Sequence, residues 1–516
     1  MGHIFLYGPP ASGKSTVGRI LAGNLNLPFV DLDDRARQAA GMDIPQVMAE
    51  RGEAGFRELE SAQFERLGMD SDSVVALGGG TLLRDENRAR AESNGEIVCL
   101  NAGLNTLLQH LQDQPSSRPL LAGDLTEKLT ALLTDRAAHY ASFPTRIEVD
   151  GSTPEQLAWQ IQCMIGRFYL RAMGAGYDAV VRSGGIDSLG ELLQSQGLLN
   201  PIIVTDANVA KLHADNALDS LRRSQYEPKV LSIPAGESAK TLDTISSIWR
   251  DFLEAGLDRK STVVALGGGV VGDMAGFAAA TFMRGVDWVV VPTTLLSMVD
   301  ASLGGKTGFD LPEGKNLIGS FHSPRLALAD PQVLGTLPAG ELRSGLAEVV
   351  KHGIVADPGL FDLCASGLEA VMNNLPQIIR RAMAVKIKII EEDPFEKGSR
   401  AALNLGHTVG HAVESVSGYS LRHGEAVSIG MVVEARLAEY LKMASQGLSS
   451  RIADALSVLG LPTQIPKGLS KEKLIHAMQF DKKKAGGSVR FAFPVQIGSV
   501  QVNVEVKDLE LLFKES

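Results

Sequence analysis

The chain has 516 residues, of which 44% are hydrophobic and 21% are charged, and its formal net charge is −10. This composition excludes a disordered, collagen-like or coiled-coil protein, and the length predicts about three or four folding units. The negative charge argues against non-specific nucleic-acid binding, which depends on Lys and Arg. The 3 cysteines are too few and too scattered for a disulfide framework. With no signal peptide or membrane span expected, we predict a cytoplasmic protein.

The first 165 residues alternate short apolar strands with helical patterns. Strands separated by helices predict a parallel sheet that is covered on both faces. The predicted strands are 3–7, 27–32, 73–77, 96–100 and 146–149, and the predicted helices are 15–25, 53–67, 127–140 and 153–165. A Gly-punctuated stretch, 166–176, then predicts a linker.

A phosphate-binding motif lies between the first strand and the first helix. The segment Gly8-Pro-Pro-Ala-Ser-Gly-Lys14-Ser15 matches G-x-x-x-x-G-K-[ST]. In this motif the backbone N–H groups and the helix N-terminus surround phosphate, the Lys reaches the β- and γ-phosphates, and the Ser ligates Mg²⁺. The predicted ATP-binding residues are Gly8, Ser12, Gly13, Lys14, Ser15 and Thr16.

Three acids follow the second strand, where parallel sheets place ligands. Asp31, Asp33 and Asp34 can hold Mg²⁺ there or accept a proton from an attacking hydroxyl. A helix N-cap role for Asp33 or Asp34 remains the alternative. Further along, Arg57, the Gly78–Gly80 turn, Arg118 and Arg136 offer cations for an anionic acceptor and for the transferring phosphoryl group.

In this order these residues resemble shikimate kinase, over about residues 1–165. The resemblance implies ATP-dependent 3-phosphorylation of shikimate, with Mg²⁺ held by Ser15 and Asp31 and with Asp33 as the base. Arg118 would reach the ATP phosphates from a closing lid at about 112–123. Shikimate would be held by Asp33, Arg57, Gly78, Gly79, Gly80 and Arg136. The Gly8-Pro-Pro loop differs from the family's usual Gly-x-Met-Gly, which leaves another small-molecule kinase as an alternative.

A second α/β pattern begins after the linker. Its predicted strands are 179–182, 202–205, 229–233, 262–266 and 288–291. The segment Gly267-Gly-Gly-Val-Val-Gly-Asp273 follows one of them and contains G-x-G-x-x-G, which is typical of dinucleotide binding in this strand-to-helix context. Helical patterns continue to about residue 459, and a β-rich tail covers 489–493 and 500–504.

Cations and histidines cluster in the second half. Arg284, Lys306, Lys315 and Lys351 lie near Gly turns or a helix, which indicates a phosphorylated substrate, although each Lys alone is more typical of a solvated surface. His407 and His411 share one helix face and could bind a metal. Two histidines in a polar core are the alternative.

The ordered set of these motifs resembles 3-dehydroquinate synthase, over about residues 177–516. The resemblance implies conversion of 3-deoxy-arabino-heptulosonate 7-phosphate to 3-dehydroquinate and phosphate, with Zn²⁺ or Co²⁺ held by Glu348, His407 and His423. His411 would then face the substrate, and Lys306, Lys351 and His411 would act in catalysis. NAD would contact Asp206, Asn208, Glu237, Lys240, Gly268, Gly269, Val270, Asp273, Thr293, Thr294, Asp300, Lys306 and Lys315. Substrate would contact Arg284, Asp300, Lys306, Lys315, Asn316, Lys351, Arg400, Asn404 and His411.

The predicted fold class is therefore α/β in three parts. A P-loop, nucleoside-monophosphate-kinase-like parallel-sheet domain covers 1–165, a Rossmann-like NAD-binding domain covers 177–336, and a mainly helical metal- and substrate-binding domain covers 337–516. The resemblance further implies a homodimer through the synthase half, in which Arg284 serves a neighbouring subunit, and a lysine among Lys482, Lys483 and Lys484 that reaches the site. Small molecules are the expected partners. Another sugar-phosphate cyclase or a polyol dehydrogenase remains the alternative for the second half.

Overall fold

The computed structural model describes residues 2–67, 72–112, 124–484 and 489–513, without the side chains of 480–484. The chain divides into two compact units, Met1–Tyr169 and Leu170–Ser516. The division falls within the predicted linker, which contains a short strand, Arg167–Leu170. None of the described helices combines the length and the apolarity that crossing a membrane requires.

The first unit is a five-stranded parallel sheet of order β2-β3-β1-β4-β5 with helices on both faces. The strands are β1 His3–Tyr7, β2 Phe29–Asp31, β3 Val74–Ala76, β4 Gly95–Asn101 and β5 Arg146–Glu148. The helices are α1 Lys14–Leu25, α2 Leu32–Ala40, α3 Ile44–Glu65, α4 Asp85–Asn94, α5 Leu104–Gln112, α6 Leu125–Ala141 and α7 Pro154–Ile165.

The central strand β1 is apolar along its length because both of its faces are buried. Ile4 and Leu6 point to one face and join a core with α1 and α7. Phe5 and Tyr7 point to the other face and join a second core with α3 and α6. Successive strand residues alternate between faces, so one apolar strand anchors both helical layers.

The second unit contains a parallel run of order β7-β14-β11-β10-β8-β9. The strands are β6 Arg167–Leu170, β7 Tyr177–Val181, β8 Leu199–Asp206, β9 Lys229–Ile233, β10 Ser261–Gly267, β11 Asp287–Pro292, β12 Lys306–Leu311, β13 Gly314–Phe321, β14 Leu326–Ala329, β15 Arg490–Gln496 and β16 Ser499–Glu505. The helices that accompany the sheet are α8 Leu189–Ser195, α9 Ala207–Val209, α10 Asp215–Arg223, α11 Leu242–Glu254 and α12 Gly269–Thr281.

The rest of the second unit is mainly helical. Its helices are α13 Ala339–Ala356, α14 Pro358–Ala365, α15 Leu368–Asn373, α16 Leu375–Glu392, α17 His407–Val416, α18 His423–Tyr440, α19 Leu448–Ser457 and α20 Lys471–Lys484. Apolar side chains of α17 and α18 pack against the antiparallel pair β15–β16, the predicted β-rich tail. The predicted α/β class is confirmed, but the antiparallel hairpin β12–β13 interrupts the predicted βα alternation.

Candidate active sites

The loop Gly8–Gly13 connects β1 to α1 and turns tightly against β4. Gly8 has φ 137°, and a Cβ on it would lie 2.4 Å from the carbonyl oxygen of Leu100, so only glycine fits there. The Lys14 ammonium donates to the carbonyl oxygens of Gly8 (2.9 Å) and Pro9 (2.8 Å). The hydroxyl of Ser12 is buried and has no hydrogen-bond partner among the described residues, which is typical of a group that binds a ligand.

The predicted Mg²⁺ ligands meet at the start of α1. Ser15 donates its hydroxyl hydrogen to Asp31 at 2.6 Å. The other oxygen of Asp31 accepts the backbone N–H of Asp33 at 3.1 Å, which makes Asp31 the N-cap of α2. The alternative that Asp33 or Asp34 is the N-cap is therefore wrong, since both lie in the first turn of that helix.

A cavity of about 860 Å³ joins the phosphate loop to the predicted acceptor site. Its lining includes Lys14, Asp33, Arg57, Arg136 and the Gly78–Gly80 turn. Gly13, Ser15, the exposed Thr16 and Asp31 also line this cavity, whereas Gly8 and Ser12 lie in the loop beside it. The structure therefore brings the described kinase residues of the prediction together around one cavity. Arg118 and nearly all of its predicted lid at about 112–123 lie outside the described residues.

The Gly78–Gly80 turn is held by groups behind it. Glu60 is buried and accepts from Arg57 at 2.8 Å and from the hydroxyl of Thr81. A Cβ on Gly78 would lie 1.9 Å from Glu60, and a Cβ on Gly80 would lie 2.5 Å from the Arg57 guanidinium. Two of the three glycines thus give room to the ion pair that fixes Arg57.

The carbonyl oxygen of Gly79 accepts three side-chain hydrogen bonds. The donors are Arg136 at 2.9 Å, the Tyr140 hydroxyl at 3.2 Å and the Tyr7 hydroxyl at 3.3 Å. The described peptide bonds are all trans, so the N–H of Gly80 points away from these donors. The sequence did not identify Tyr7 or Tyr140, because both resemble ordinary core aromatics.

In the second unit, predicted cofactor residues follow four neighbouring strands. Asp206 ends β8, Glu237 follows β9, Gly268 follows β10 and Thr293 follows β11. The carboxyl ends of parallel strands form the ligand-binding edge of such a sheet. The remaining predicted cofactor residues of this edge are Asn208 after β8, Gly269, Val270 and Asp273 on α12, and Thr294 after β11.

The buried ammonium of Lys240 links that edge to the hairpin β12–β13. It donates to Asp273 at 2.7 Å, contacts Asn316 and lies 3.9 Å from Asp310. Burial alone would lower the pKa of Lys240, but Asp273, Glu237 and Asp310 raise it above its ordinary value. A fixed positive charge therefore stands between the predicted cofactor and substrate residues.

The hairpin presents two exposed lysines. Lys306 contacts Glu396, and Lys315 lies 3.4 Å from Glu414, 3.8 Å from Glu237 and over the ring of Tyr419. Both ammonium groups thus have carboxylates as ion-pair partners, which are Glu396 for Lys306 and Glu237 and Glu414 for Lys315. An anionic substrate would compete for these lysines.

The candidate metal centre is formed by three helices. Glu348 is fully buried on α13, and its carboxylate lies 3.6 Å from Nε2 of His407 and 3.4 Å from Nε2 of His423. One ligand atom from each of the three residues lies within 4.8 Å of the others. Two imidazoles and a carboxylate are a donor set that zinc accepts, with a position left for substrate. No metal-compatible group among the described residues contains both His407 and His411.

Charge balance at this centre depends on Lys351. Its ammonium contacts the fully buried carboxylate of Glu348 one turn away on α13. Burial would raise the pKa of Glu348, but Lys351 and the two histidines hold it well below its ordinary value. Burial also lowers the pKa of His407 to about 3. An anionic carboxylate beside neutral His407 suits a bound cation.

Lys386 is a further buried cation that the sequence did not identify. It contacts Asp300, and burial lowers its pKa while Asp300 opposes that change. Next to it, His352 is fully buried and neither ring nitrogen has a partner among the described residues. On sequence alone, Lys386 looks like one of several lysines on an amphipathic helix.

The other predicted substrate residues differ in exposure. The buried guanidinium of Arg400 donates to the carbonyl of Pro394 at 2.7 Å and would meet a Cβ on Gly304. His411 is exposed, with its ring 5.2 Å from that of His407, and Asn404 is also exposed.

Arg284 is exposed on a left-handed turn, φ 69°, without an ion pair among the described residues. The side chains of Lys482, Lys483 and Lys484 lie outside the described residues.

Family models match three parts of the chain. The model for shikimate kinase matches residues 10–165. The models for the N-terminal and C-terminal parts of 3-dehydroquinate synthase match residues 230–344 and 345–484. Both resemblances drawn from the motifs are therefore confirmed.

Individual relatives agree with these matches. A 3-dehydroquinate synthase of a Synechococcus strain is 44% identical over 340 residues, which cover 64% of this chain and 92% of that protein. The 3-dehydroquinate synthase of Desulforamulus reducens is 42% identical and covers 65% of this chain and 95% of that one. A 2-epi-5-epi-valiolone synthase structure from Streptomyces hygroscopicus, with NAD⁺ and Zn²⁺ bound, is 30% identical with a TM-score of 0.60, over 65% of this chain and 94% of that one.

Proposed function

Because the chain belongs to the 3-dehydroquinate synthase family and carries a shikimate kinase domain before the synthase part, we propose that its two sites catalyse two reactions of one pathway. The first unit phosphorylates the 3-hydroxyl of shikimate with ATP. The second unit converts 3-deoxy-arabino-heptulosonate 7-phosphate to 3-dehydroquinate and phosphate. The chain is thus a kinase and a lyase.

The observation that carries the synthase assignment is the buried Glu348 carboxylate between His407 and His423. These three residues would hold Zn²⁺ or Co²⁺, and the strand ends around Gly268 would hold NAD⁺. When bound, metal and NAD⁺ supply a Lewis acid and a hydride acceptor. The conversion involves no net redox change, so bound NAD⁺ would serve as a catalyst and would not be consumed.

The chain's own residues bind and orient the heptulosonate phosphate. Lys351 and Lys386 bring buried positive charge to the centre, and Arg400 adds a rigid guanidinium. His411 stands at the exposed edge, where it meets the phosphate that leaves. The remaining proposed substrate residues are Arg284, Asp300, Lys306, Lys315, Asn316 and Asn404.

In the kinase unit the proposed residues mainly place charged groups against the ATP phosphates, Mg²⁺ and shikimate. Lys14 neutralises the phosphates, Ser15 and Asp31 hold Mg²⁺, and Asp33 accepts the proton of the attacking hydroxyl. Arg57 and Arg136 bind the shikimate carboxylate beside the Gly78–Gly80 turn. A closing Arg118 would exclude water, which competes as a phosphoryl acceptor.

Two assays on the full-length protein test the assignment. We expect ADP release that depends on shikimate, and phosphate release from 3-deoxy-arabino-heptulosonate 7-phosphate that depends on Zn²⁺ and NAD⁺ without accumulation of NADH. A heptulose 7-phosphate without a carboxylate serves as the control substrate. Preference for that control would assign the second unit to another sugar-phosphate cyclase, and stoichiometric NADH would assign it to a dehydrogenase.

We further propose a cytoplasmic homodimer in which exposed Arg284 serves the partner's phosphate site. The domain bounds 1–165, 166–176, 177–336 and 337–516 belong to the same proposal. Light scattering with the Arg284→Ala variant tests the dimer. We expect light scattering to give twice the monomer mass for the wild type and the variant, and enzyme kinetics to give a raised KM for the heptulosonate phosphate in Arg284→Ala. A monomeric wild type with full activity would contradict the proposal.

A further inference from the structure

A buried carboxylate connects the two helices that begin with the candidate metal ligands. Glu434 lies on α18, the helix that begins at His423, and its side chain is fully buried. Its two oxygens accept the backbone N–H groups of Gly406 (2.6 Å) and Val409 (3.3 Å). Both N–H groups belong to the start of α17, the helix that begins at His407.

The first N–H groups of a helix have no partner within the helix and need an external acceptor. The N-cap of α17 is Gly406, which has no side chain to provide one. A side chain cannot be added there, because φ is 79° and a Cβ would lie 2.7 Å from the carbonyl oxygen of Val427. The cap of α17 is therefore supplied by α18.

This arrangement ties α18 to the first turn of α17, where His407 lies, while His423 lies eleven residues before Glu434 on α18. Burial raises the pKa of Glu434 to about 8, and the N–H groups at the start of α17 oppose that rise. The role of the Glu434 carboxyl group in this cap is therefore that of a hydrogen-bond acceptor. Movement of the first turn of α17 would shift His407 relative to His423. Among the described residues, the hydrogen bonds of Glu434 go to the backbone of Gly406 and Val409 and not to a proposed metal ligand's side chain or substrate residue. Glu434 therefore acts through the position of His407.

We propose that Glu434 is a positioning residue that sets the separation of His407 and His423, and thereby the affinity of the synthase site for Zn²⁺. The inference rests on the proposed metal site. It extends that site to a residue outside the ligand set and outside the substrate cavity.

The same helix offers a matched control. Glu439 is also a buried carboxylate on α18, and it caps α19 by accepting from the N–H (2.7 Å) and the hydroxyl (2.9 Å) of Ser449. No proposed site residue lies on α19. Glu434→Gln and Glu439→Gln therefore each replace one acceptor oxygen of a buried helix cap by an amide N–H₂ group, and only the first change alters the cap of a metal-binding helix.

The test measures Zn²⁺ affinity of the full-length protein by competition with a chromophoric chelator. We expect Glu434→Gln to raise the Kd for Zn²⁺ by about tenfold or more, as loss of outer-shell support does at other metal sites. Glu439→Gln should leave that Kd unchanged, and both variants should keep the Kd for NAD⁺. The midpoint of thermal unfolding measures how much folding stability each substitution removes.

Equal Zn²⁺ affinity in wild type and Glu434→Gln would overturn the inference, as would an equal loss in both variants. Wild-type protein that binds no Zn²⁺ would overturn the proposed metal site and the inference together. If Glu434→Gln does not fold, Glu434→Asp, which keeps the carboxyl group on a shorter side chain, is compared with Glu439→Asp by the same criteria.

Discussion

At the scale of the residue, single polar atoms determine how the site backbone is presented. The Gly79 carbonyl receives three donors, although a carbonyl oxygen has two lone pairs. Arg136 is also assigned to the shikimate carboxylate, and its five N–H groups let it serve both acceptors. Tyr7 and Tyr140 are the other two donors, and they hold the turn independently of the substrate.

We predict that Tyr7→Phe and Tyr140→Phe each raise the KM for shikimate by about three- to tenfold, because each loses one hydrogen bond to the turn. The rings remain in the core, so the KM for ATP should not change. Steady-state kinetics of ADP release measure both constants. Tyr226→Phe, which removes a hydroxyl that donates to the Leu198 carbonyl in the other unit, is the control. Parallel rises in both KM values would contradict this role.

At the scale of the element, the two metal-binding helices owe their close approach to glycine. A Cβ on Gly430 of α18 would lie 1.9 Å from the carbonyl oxygen of Gly406 at the start of α17. Backbone cannot move aside as a side chain can, so the helices can meet only with glycine at this position. By contrast, a Cβ on Gly23, an exposed residue of α1, would meet nothing within 4 Å.

The same substitution should therefore have opposite effects at these two positions. Gly430→Ala should destabilise the second unit by about 1–3 kcal/mol through overpacking and should weaken Zn²⁺ binding. Gly23→Ala should stabilise the first unit by about 0.5–1 kcal/mol, because alanine favours the helix. Chemical denaturation measures both changes. An unchanged denaturation midpoint for Gly430→Ala would contradict this prediction, because it would mean that α17 and α18 can move apart without loss of stability.

The sequence predicted the five strands of the first sheet and five of the seven strands of the second, because buried parallel strands are apolar, but it missed β6 and β14. It also missed the hairpin β12–β13. Gly304-Gly-Lys306 and Gly314-Lys-Asn316 have the composition of ligand-binding turns, and that composition does not reveal that strands begin there. It also missed Lys386 and Glu434. Burial of a charged side chain depends on which helices pack around it, and local periodicity does not carry that information.

At the scale of the whole molecule, the two proposed sites lie in separate compact units. The division between Tyr169 and Leu170 leaves each unit with its own sheet core and its own proposed ligand edge. The synthase product is not the kinase substrate, so neither reaction requires the other site. Joining the units can serve joint expression without channelling.

We therefore predict that fragments 1–165 and 166–516 each retain the kcat of their reaction within about twofold, because each fragment keeps all the strands of its own sheet. Separate expression and the two assays of the full-length chain measure this. A fragment that folds, as judged by circular dichroism and a cooperative transition, but lacks turnover would contradict the independence of the units.

The most direct test of the central claim uses one inactivating substitution in each site of the full-length chain. We predict that Lys14→Ala lowers shikimate-dependent ADP release by about 100-fold or more and leaves phosphate release from 3-deoxy-arabino-heptulosonate 7-phosphate unchanged. Glu348→Gln should do the reverse and should also lose Zn²⁺ binding. Loss of both activities in either variant, or absence of either activity in the wild type, would contradict two independent active sites in one chain.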